Sequence, residues 1–306
     1  MKTDDDPVSV AAVVSTFNPG PDLMDNCAAL LEQCADVVVV DDGSSAPDEG
    51  VFEAVAGLGC AVLRLQANAG IAAALNKGIQ FARSRYQDLD FILTMDQDSL
   101  VAPGFVHELT SAAKAAKTAG VEVGMVAPAE VSGMPSRERK REGAVIIGDE
   151  PVQSGLLIPI PSLEAIGPFN EALFIDGVDS EFYLRAKAKG LQCIIARGAS
   201  LEHSLGTMVP ARLGGLPLGW RGRPLMVRTA ASWRYYFIVR NRILLGRKFA
   251  LSEPYWTVRG FLGDARHILL VTLLAAGRGE RLSAAWRGLS DGVKGRSGPQ
   301  PNRSSG

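Results

Sequence analysis

The chain has 306 residues, of which 47% are hydrophobic and 21% are charged, and its formal net charge is −1. This composition is typical of a folded globular protein, and the near-zero charge argues against a nucleic-acid-binding protein. The four cysteines lack Cys-x-x-Cys spacing, which predicts reduced thiols in a cytoplasmic protein. No stretch reaches the roughly 20 apolar residues that span a bilayer, and the acidic residues 1–7 form a tail without the pattern of a signal peptide.

The first half of the chain alternates between strand and helix patterns. Apolar runs predict strands, and apolar residues at helical spacing predict the helices between them. The predicted strands are Val8–Ser15, Asp36–Val40, Ala61–Leu65 and Phe91–Met95, and the predicted helices are Pro21–Cys34, Glu49–Ala56 and Gly70–Ser84. Continuous apolar strands that alternate with helices are typical of a parallel sheet covered by helices on both faces. We therefore expect an α/β, Rossmann-like fold.

The second half has a different pattern. Short strands are predicted over Val123–Pro128, Ala144–Ile147, Ser154–Pro159 and Gln192–Ile195, a charged loop over Pro135–Glu142 and a helix over Asp179–Lys189. The Gly-, Pro- and Arg-rich residues 207–231 predict a flexible loop after a catalytic domain that spans 8–206. Residues 232–296 predict a helical extension, and the polar residues 297–306 a disordered tail.

Two carboxylates follow the apolar run Phe91–Met95. Asp96 and Asp98 are two residues apart, so on an extended strand they point to the same side, at the edge of the sheet where α/β proteins bind ligands. Carboxylates suit Mg²⁺ or Mn²⁺, which complete their coordination with waters and substrate phosphates. His203 follows another predicted strand and suits a further metal ligand beside Asp98. This pattern predicts a metal site for a diphosphate.

Polar residues also follow the first two strands. An Asp at position 41 or 42 can accept the N3–H of a pyrimidine ring, although an Asp there can instead cap the next turn. Gly70 lets a phosphate or sugar approach the start of a helix, or it serves close packing of that helix on the sheet. The predicted nucleotide-sugar site consists of Thr16, Asn18, Asp41, Asp42, Asn68, Gly70, Asn76, Asp96 and Gln97.

A carboxylate cluster surrounds the start of the helix predicted at Asp179. One carboxylate here can act as a general base toward a hydroxyl group. Asp179 is assigned this role, although it also suits a helix N-cap. Glu181 is assigned to a surface pair with Arg185, four residues later.

The last third of the chain is basic. The helix pattern Trp233–Phe249 and the apolar run Ile268–Ala275, which Arg266 and Arg278 flank, have two interpretations. Both segments lie on the cytoplasmic face of a membrane as peripheral helices, or both pack as core helices.

Together these motifs resemble the inverting family 2 glycosyltransferases of GT-A fold, and more narrowly the bacterial rhamnosyltransferases. The motifs are Thr16-Phe17-Asn18-Pro19, Val40-Asp41-Asp42-Gly43-Ser44, Asn68-Ala69-Gly70-Ile71-Ala72, Met95-Asp96-Gln97-Asp98-Ser99, Ser154-Gly155, Leu173-Phe174-Ile175-Asp176-Gly177-Val178-Asp179-Ser180-Glu181-Phe182, His203-Ser204-Leu205-Gly206, Tyr235-Tyr236 with Arg240-Asn241, and Asp291-Gly292-Val293-Lys294-Gly295-Arg296. Residues 212–216 resemble the transferases that extend rhamnolipids. Two residues depart from the family pattern: Phe17 stands where Tyr is common, and Phe182 stands where Trp or Tyr is common.

The resemblance implies a dTDP-L-rhamnose donor and a glycan or lipid-linked acceptor. Thr16 and Asp42, or Asp41, would hold thymine and ribose, and Asp96 would contact the ribose or the sugar. Asp98 and His203 would bind Mg²⁺ or Mn²⁺, and Asp179 would be the base. Residues assigned to the acceptor or the diphosphate are Ser154, Gly155, Asp176, Arg212 and Arg240.

Three other functions fit parts of the pattern. A family 2 transferase that uses a UDP-sugar, such as UDP-galactofuranose, would carry the same motifs. A sugar-nucleotide-binding protein without turnover would not need a base such as Asp179. A nucleotidyltransferase would usually carry a basic, Gly-rich loop after its first strand, whereas residues 15–20 contain no basic residue.

Overall fold

The computed structural model describes residues 8–203, 206–221 and 223–300, with the side chain of His203 outside that description. The predicted tail 1–7 and most of the predicted tail 297–306 therefore lie outside it. The described chain divides into two compact units, one formed by Met1–Glu171 with Val178–His203 and the other by Ala172–Gly177 with Ser204–Gly306. The domain boundaries expected from the sequence stay a prediction.

The first unit is built on a central, mostly parallel sheet flanked by helices. Its strands are β1 (Val10–Thr16), β2 (Asp36–Asp41), β3 (Ala61–Arg64), β4 (Phe91–Asp96), β5 (Ser99–Val101), β6 (Val123–Val131), β7 (Met134–Pro135), β8 (Glu138–Glu142), β9 (Val145–Gly148), β10 (Leu156–Pro159) and β11 (Gln192–His203). Its helices are α1 (Asp22–Leu31), α2 (Glu49–Gly57), α3 (Ile71–Arg85), α4 (Phe105–Thr118), α5 (Ile160–Ile166) and α6 (Val178–Ala188). Within residues 8–203 the strand order is β3-β2-β1-β4-β10-β6-β11-β9-β8, with β5 on β11 and β7 on β6.

Burial explains why β1 and β2 are interior strands of this sheet. Every residue of both strands is buried, which requires packing on both faces. The parallel registers pair Thr16 with Asp41 and Ser15 with Asp96. The carboxyl ends of β2, β1 and β4 therefore meet at one edge, which is where the sequence places the site. The expected α/β fold with a mixed, mostly parallel sheet is confirmed.

Two segments differ from the expected loops. The charged segment Pro135–Glu142 contains strand β8, which is exposed along its length and pairs with the buried strand β9. Residues 207–221 and 223–229 form a ladder of three short antiparallel strand pairs, where the sequence predicted a flexible loop. The paired strands are β12 (Thr207–Pro210) with β17 (Met226–Thr229), β13 (Arg212–Leu213) with β14 (Leu216–Pro217), and β15 (Gly219–Trp220) with β16 (Arg223–Pro224).

The second unit also contains helices α7 (Arg234–Phe249), α8 (Pro254–Leu274) and α9 (Arg278–Val293). Tyr235, Tyr236 and Phe237 of α7 are buried and form a core cluster with Val271 and Ala284. Helix α7 is thus a core helix, and the interpretation of Trp233–Phe249 as a membrane-surface helix is wrong. None of the helices in the described part of the chain is long and apolar enough to cross a membrane.

Candidate functional site

The two aspartates of the Asp-x-Asp motif lie on the turn between β4 and β5. Asp96 is half-buried at the end of β4, and Asp98 is exposed on the turn. The main chain of Asp96 is fixed from two sides: its N–H donates to Ser154 Oγ at 3.1 Å, and its carbonyl accepts from Asn26 Nδ2 at 3.0 Å. Its carboxylate accepts from Ser15 Oγ at 3.4 Å. The turn is therefore rigidly presented at the edge of the sheet.

Ser154 and Gly155 support this turn from below. Ser154 is fully buried, and its hydroxyl also lies 2.7 Å from Ser99 Oγ. Gly155 has φ +79°, and a Cβ there would lie 3.0 Å from Leu201 Cδ2. Because Ser154 has no access to solvent, the structure gives it a positioning role instead of the predicted contact with the acceptor or diphosphate.

The position of His203 follows from the pairing of β11 with β5. The antiparallel register sets His203 opposite Ser99, the residue after Asp98. This backbone arrangement, with the exposed Asp98 carboxylate as a hard oxygen donor, fits a Mg²⁺ or Mn²⁺ site. Among the side chains that the structure describes, no group of three or more His, Cys, Asp and Glu is placed to hold a metal. The predicted metal ligands are Asp98 and His203, and the side chain of His203 is not among the described side chains.

Thr16 and Asp41 lie side by side at the ends of β1 and β2. Thr16 Oγ1 donates to the carbonyl of Val40 at 3.2 Å. The buried Asp41 carboxylate accepts from Ser44 N at 3.0 Å and pairs with Arg64 Nε at 3.2 Å. Asp41 therefore shapes its own turn, as the capping alternative anticipated.

Asn18 and Gln97 connect neighbouring loops. Asn18, with φ 46°, donates its N–H to Ser44 Oγ at 2.7 Å, and its Oδ1 accepts from Ala46 N at 3.0 Å. Gln97 Oε1 accepts from Phe17 N at 2.7 Å. These bonds hold the loop after β1 against the loops after β2 and β4.

Asp42 connects the loop after β2 to the start of α3. Its carboxylate accepts from the N–H groups of Ala69 and Gly70 at 2.8 and 2.9 Å. Burial raises the pKa of Asp42 to about 6, against the lowering effect of these two bonds. Gly43 has φ +66°, and a Cβ there would lie 2.3 Å from the carbonyl carbon of Ala67. Asn68 is exposed beside this contact.

Asn76 has a structural role that the sequence did not indicate. Its Nδ2 donates to Phe169 O and its Oδ1 accepts from Phe169 N, both at 2.9 Å, and Nδ2 also lies 2.8 Å from Glu171 Oε1. The amide of Asn76 thus holds residues 169–171 against α3. Because these bonds occupy the Asn76 amide, it does not fit the predicted contact with the nucleotide sugar.

Asp179 lies half-buried in the first turn of α6. Its Oδ1 accepts from Ser180 N at 2.8 Å. The Ser180 hydroxyl bonds to Glu150, on the same loop, 149–155, that carries Ser154. One loop therefore contacts both the start of α6 and the Asp-x-Asp turn.

The neighbouring Glu181 is a structural residue. Its carboxylate is 1% exposed and accepts from Arg185 Nε at 2.8 and 3.0 Å. Arg185 also donates to the carbonyls of Ile166 and Pro168. The predicted Glu181–Arg185 pair is confirmed, but it is buried and not on the surface.

The remaining predicted residues belong to the second unit. Arg240 is fully buried and donates to the carbonyls of Gly298 at 2.5 Å and Leu173 at 2.9 Å, so it does not fit the predicted contact with a diphosphate. Asp176 pairs with Arg234 at 2.5 Å. Burial raises the pKa of Asp176, and this effect is larger than the lowering of the pKa by Arg234. Arg212 is exposed on β13.

Two buried asparagines, Asn26 and Asn241, have structural roles that the sequence did not predict. Asn26 is 2% exposed on the face of α1 that also carries Leu23 and Cys27, where a polar residue needs a partner. Nδ2 of Asn241 lies within hydrogen-bond distance of three main-chain carbonyls of one loop. The distances are 2.9 Å to Leu173, 2.7 Å to Ile175 and 2.7 Å to Asp176. The signal for Asn26 was its position on an otherwise apolar helix face.

Comparisons with known proteins find a family match and a sequence relative. Residues 11–146 match the family described as Glycosyl transferase family 2. The dTDP-rhamnosyl transferase RfbF of Shigella flexneri is 26% identical over 255 residues, which cover 78% of this chain and 80% of that protein.

One of two similar solved structures, that of GalNAc-T7, agrees with this chain at the level of the fold. The structure of GalNAc-T7 with UDP, GalNAc and Mn²⁺ has a TM-score of 0.53 at 16% identity, covering 78% of this chain and 52% of that one, so this chain spans about half of its length. The S. aureus TarS 1-349 structure has a TM-score of 0.47 at 14% identity and covers 97% and 98% of the two chains. The fold is the GT-A fold expected from the sequence. Residues 11–146 form a glycosyl transferase family 2 domain, and the protein is a glycosyltransferase.

Proposed function

We propose that this protein is an inverting rhamnosyltransferase that moves L-rhamnose from dTDP-L-rhamnose to a hydroxyl of a glycan or lipid-linked acceptor. The observation that carries the proposal is the similarity to the dTDP-rhamnosyl transferase of Shigella flexneri over 78% of the chain. An aligned region of that extent includes the middle of the chain, where Asp96, Asp98 and Asp179 lie.

The donor nucleotide is proposed to lie across the loops after β1, β2 and β3. Thr16 and Asn18 would face the base and ribose. Asp41 would shape the turn beside them, and Asp42 with Gly70 would hold these loops together. The support for this is the hydrogen bonding that fixes the three loops to one another. A binding surface held in this way pays little ordering entropy when the nucleotide binds.

The diphosphate is proposed to lie at the Asp-x-Asp turn. Asp98 and His203 would hold Mg²⁺ or Mn²⁺, and the ion when bound would offset the negative charge that develops on the leaving dTDP. Asp96 would contact the ribose or the sugar. The buried Ser154 hydroxyl supports this role because it fixes the main chain of Asp96.

Asp179 is proposed to be the general base. Its carboxylate takes the proton of the acceptor hydroxyl while that oxygen attacks the anomeric carbon, and the bond from this carbon to the diphosphate oxygen breaks on the opposite face. One displacement inverts the configuration without a covalent enzyme intermediate. The bond from Ser180 N orients the Asp179 carboxylate for this step.

Replacement of Asp179 by Asn tests the mechanism. Asp179→Asn keeps the size of the side chain and a group that accepts from Ser180 N, so we expect transfer to be abolished and dTDP binding to be unchanged. Transfer is measured by release of dTDP, and binding by calorimetry. Retained turnover would refute the assignment of the base to Asp179.

The place where the enzyme meets its acceptor is proposed to be the cytoplasmic face of a membrane. The four cysteines are free thiols, as in proteins of a reducing compartment. A lipid-linked acceptor would be presented at that face.

A further inference from the structure

Helix α8 has an apolar face that no part of the described second unit covers. Five large side chains on it are between 47% and 72% exposed: Tyr255, Val258, Leu262, Leu269 and Leu273. Their spacing of three, four, seven and four residues places them along one side of the helix. The opposite side carries the buried residues Trp256, Thr257 and Val271. The exposed stripe is about 27 Å long at ~1.5 Å per residue.

Helix α9 repeats this feature on a smaller scale. Leu282, Trp286, Leu289 and Val293 are spaced by four, three and four residues and are between 38% and 71% exposed. Single apolar residues scattered over a protein surface are common, whereas a contiguous exposed apolar stripe is typical of an interaction surface. Tyr255 and Trp286 have amphipathic rings of the kind that lie at the level of lipid headgroups.

The charge of the second unit indicates what kind of surface it meets. This unit has 17 Lys and Arg against 5 Asp and Glu, a difference of +12, whereas the first unit has 15 against 28, a difference of −13. The net charge of −1 for the whole chain conceals this asymmetry. Arg266 is exposed one turn from both Leu262 and Leu269. A strongly cationic unit is attracted to an anionic surface and is repelled by a second copy of itself.

We propose that the outward face of α8, formed by Tyr255, Val258, Leu262, Leu269 and Leu273 with Arg266 at its edge, docks flat on an anionic phospholipid bilayer. The apolar side chains enter the boundary between headgroups and acyl chains, and the basic residues contact lipid phosphates. The helix lies in the plane of the membrane, in keeping with the absence of a membrane-spanning helix from the described residues. The inference does not depend on the identity of the sugar donor.

Flotation of the full chain with lipid vesicles tests this docking. The probes are vesicles of phosphatidylglycerol mixed with phosphatidylcholine, and vesicles of phosphatidylcholine alone. The variant Leu262→Glu/Leu269→Glu places two carboxylates on the exposed face, and Met24→Glu/Leu58→Glu is the matched control on exposed residues of the first unit. We expect the wild type and the control to prefer anionic vesicles, and the α8 variant to bind them at least about tenfold more weakly.

A third variant separates the apolar and electrostatic parts. Arg266→Glu is expected to weaken binding to anionic vesicles, with the largest loss at low ionic strength, since salt at 1 M reduces the screening length to about 3 Å. All substituted side chains are exposed, so the thermal unfolding midpoints are expected to stay close to that of the wild type.

Three results would overturn the proposal. The first is equal binding of the wild type to anionic and neutral vesicles or to neither, and the second is equal binding of wild type and Leu262→Glu/Leu269→Glu to anionic vesicles. The third is a dimer, detected by light scattering, that the α8 variant converts to a monomer, because a second copy would then cover this face.

Discussion

Replacement of Arg240 by Met separates a structural role from a ligand-binding role for this residue. The guanidinium is fully buried and lies 4.8 Å from the centre of the Phe237 ring, and it donates to the carbonyls of Gly298 and Leu173. Leu173 O keeps a second donor, Asn241 Nδ2, whereas the Gly298 carbonyl and Asn241 Oδ1 both lose the donor that Arg240 supplies. Arg240→Met should therefore destabilise the second unit.

The expected loss can be worked from these contacts. A hydrogen bond to a charged group is worth about 1.5–3 kcal/mol, and a desolvated cation over an aromatic ring about 2 kcal/mol. Burial lowers the pKa of Arg240, so removing the charge returns part of this energy. The net loss is about 3 kcal/mol, which at roughly 4 °C per kcal/mol lowers the unfolding midpoint by about 12 °C.

Differential scanning calorimetry of Arg240→Met measures this loss, with Arg212→Met as the matched control. Arg212 is exposed, so its replacement should change stability by less than about 0.5 kcal/mol. A midpoint for Arg240→Met within about 2 °C of the wild type, together with weaker binding of the donor, would refute the structural role and restore a diphosphate contact.

Three further predictions concern the loops of the first unit. Ser154→Ala should cost about 1–3 kcal/mol and weaken donor binding, since Asp96 N–H loses its buried partner; unchanged calorimetric binding and stability would contradict the positioning role. Gly43→Ala should abolish the native loop, because a Cβ there would lie 2.3 Å from the Ala67 carbonyl carbon at φ +66°; wild-type stability in thermal melts would contradict this. The folded-state pKa of Asp42, about 6, is above its ordinary value of 3.8, so its contribution to stability is present below pH 4 and is lost as the pH rises to 6. Urea unfolding at several pH values should show the wild type losing up to roughly 3 kcal/mol relative to Asp42→Asn over this range, and parallel curves would contradict the burial of this carboxylate.

The central strands were predictable because burial on both faces leaves a clear pattern in the sequence. Every residue of β1 and β2 is buried, and their predicted bounds lie within two residues of the observed ones. The ladder over 207–229 was not predictable in this way, since its strands are two to four residues long and gain their stability from cross-strand partners. Strand β8 was missed because all five of its residues are exposed, so that it lacks an apolar face.

The site was predictable where it depends on position along the chain and not where it depends on side-chain partners. Asp96 and Asp98 lie at the strand end that the apolar run indicates. Asn76 and Arg240 were misassigned, because a polar side chain in a helix pattern looks the same whether it contacts a ligand or a distant main-chain carbonyl. The carbonyls concerned belong to residues 169 and 173, far from either helix in sequence.

The most direct test of the proposed donor is calorimetric binding of dTDP and of UDP to the full chain, each with and without Mn²⁺. The account predicts that dTDP binds more tightly than UDP, that Mn²⁺ strengthens this binding, and that Asp98→Asn removes the effect of the metal. Tighter binding of UDP would contradict the dTDP-rhamnose assignment, and binding of dTDP that is indifferent to both Mn²⁺ and Asp98→Asn would contradict the metal site at the Asp-x-Asp turn.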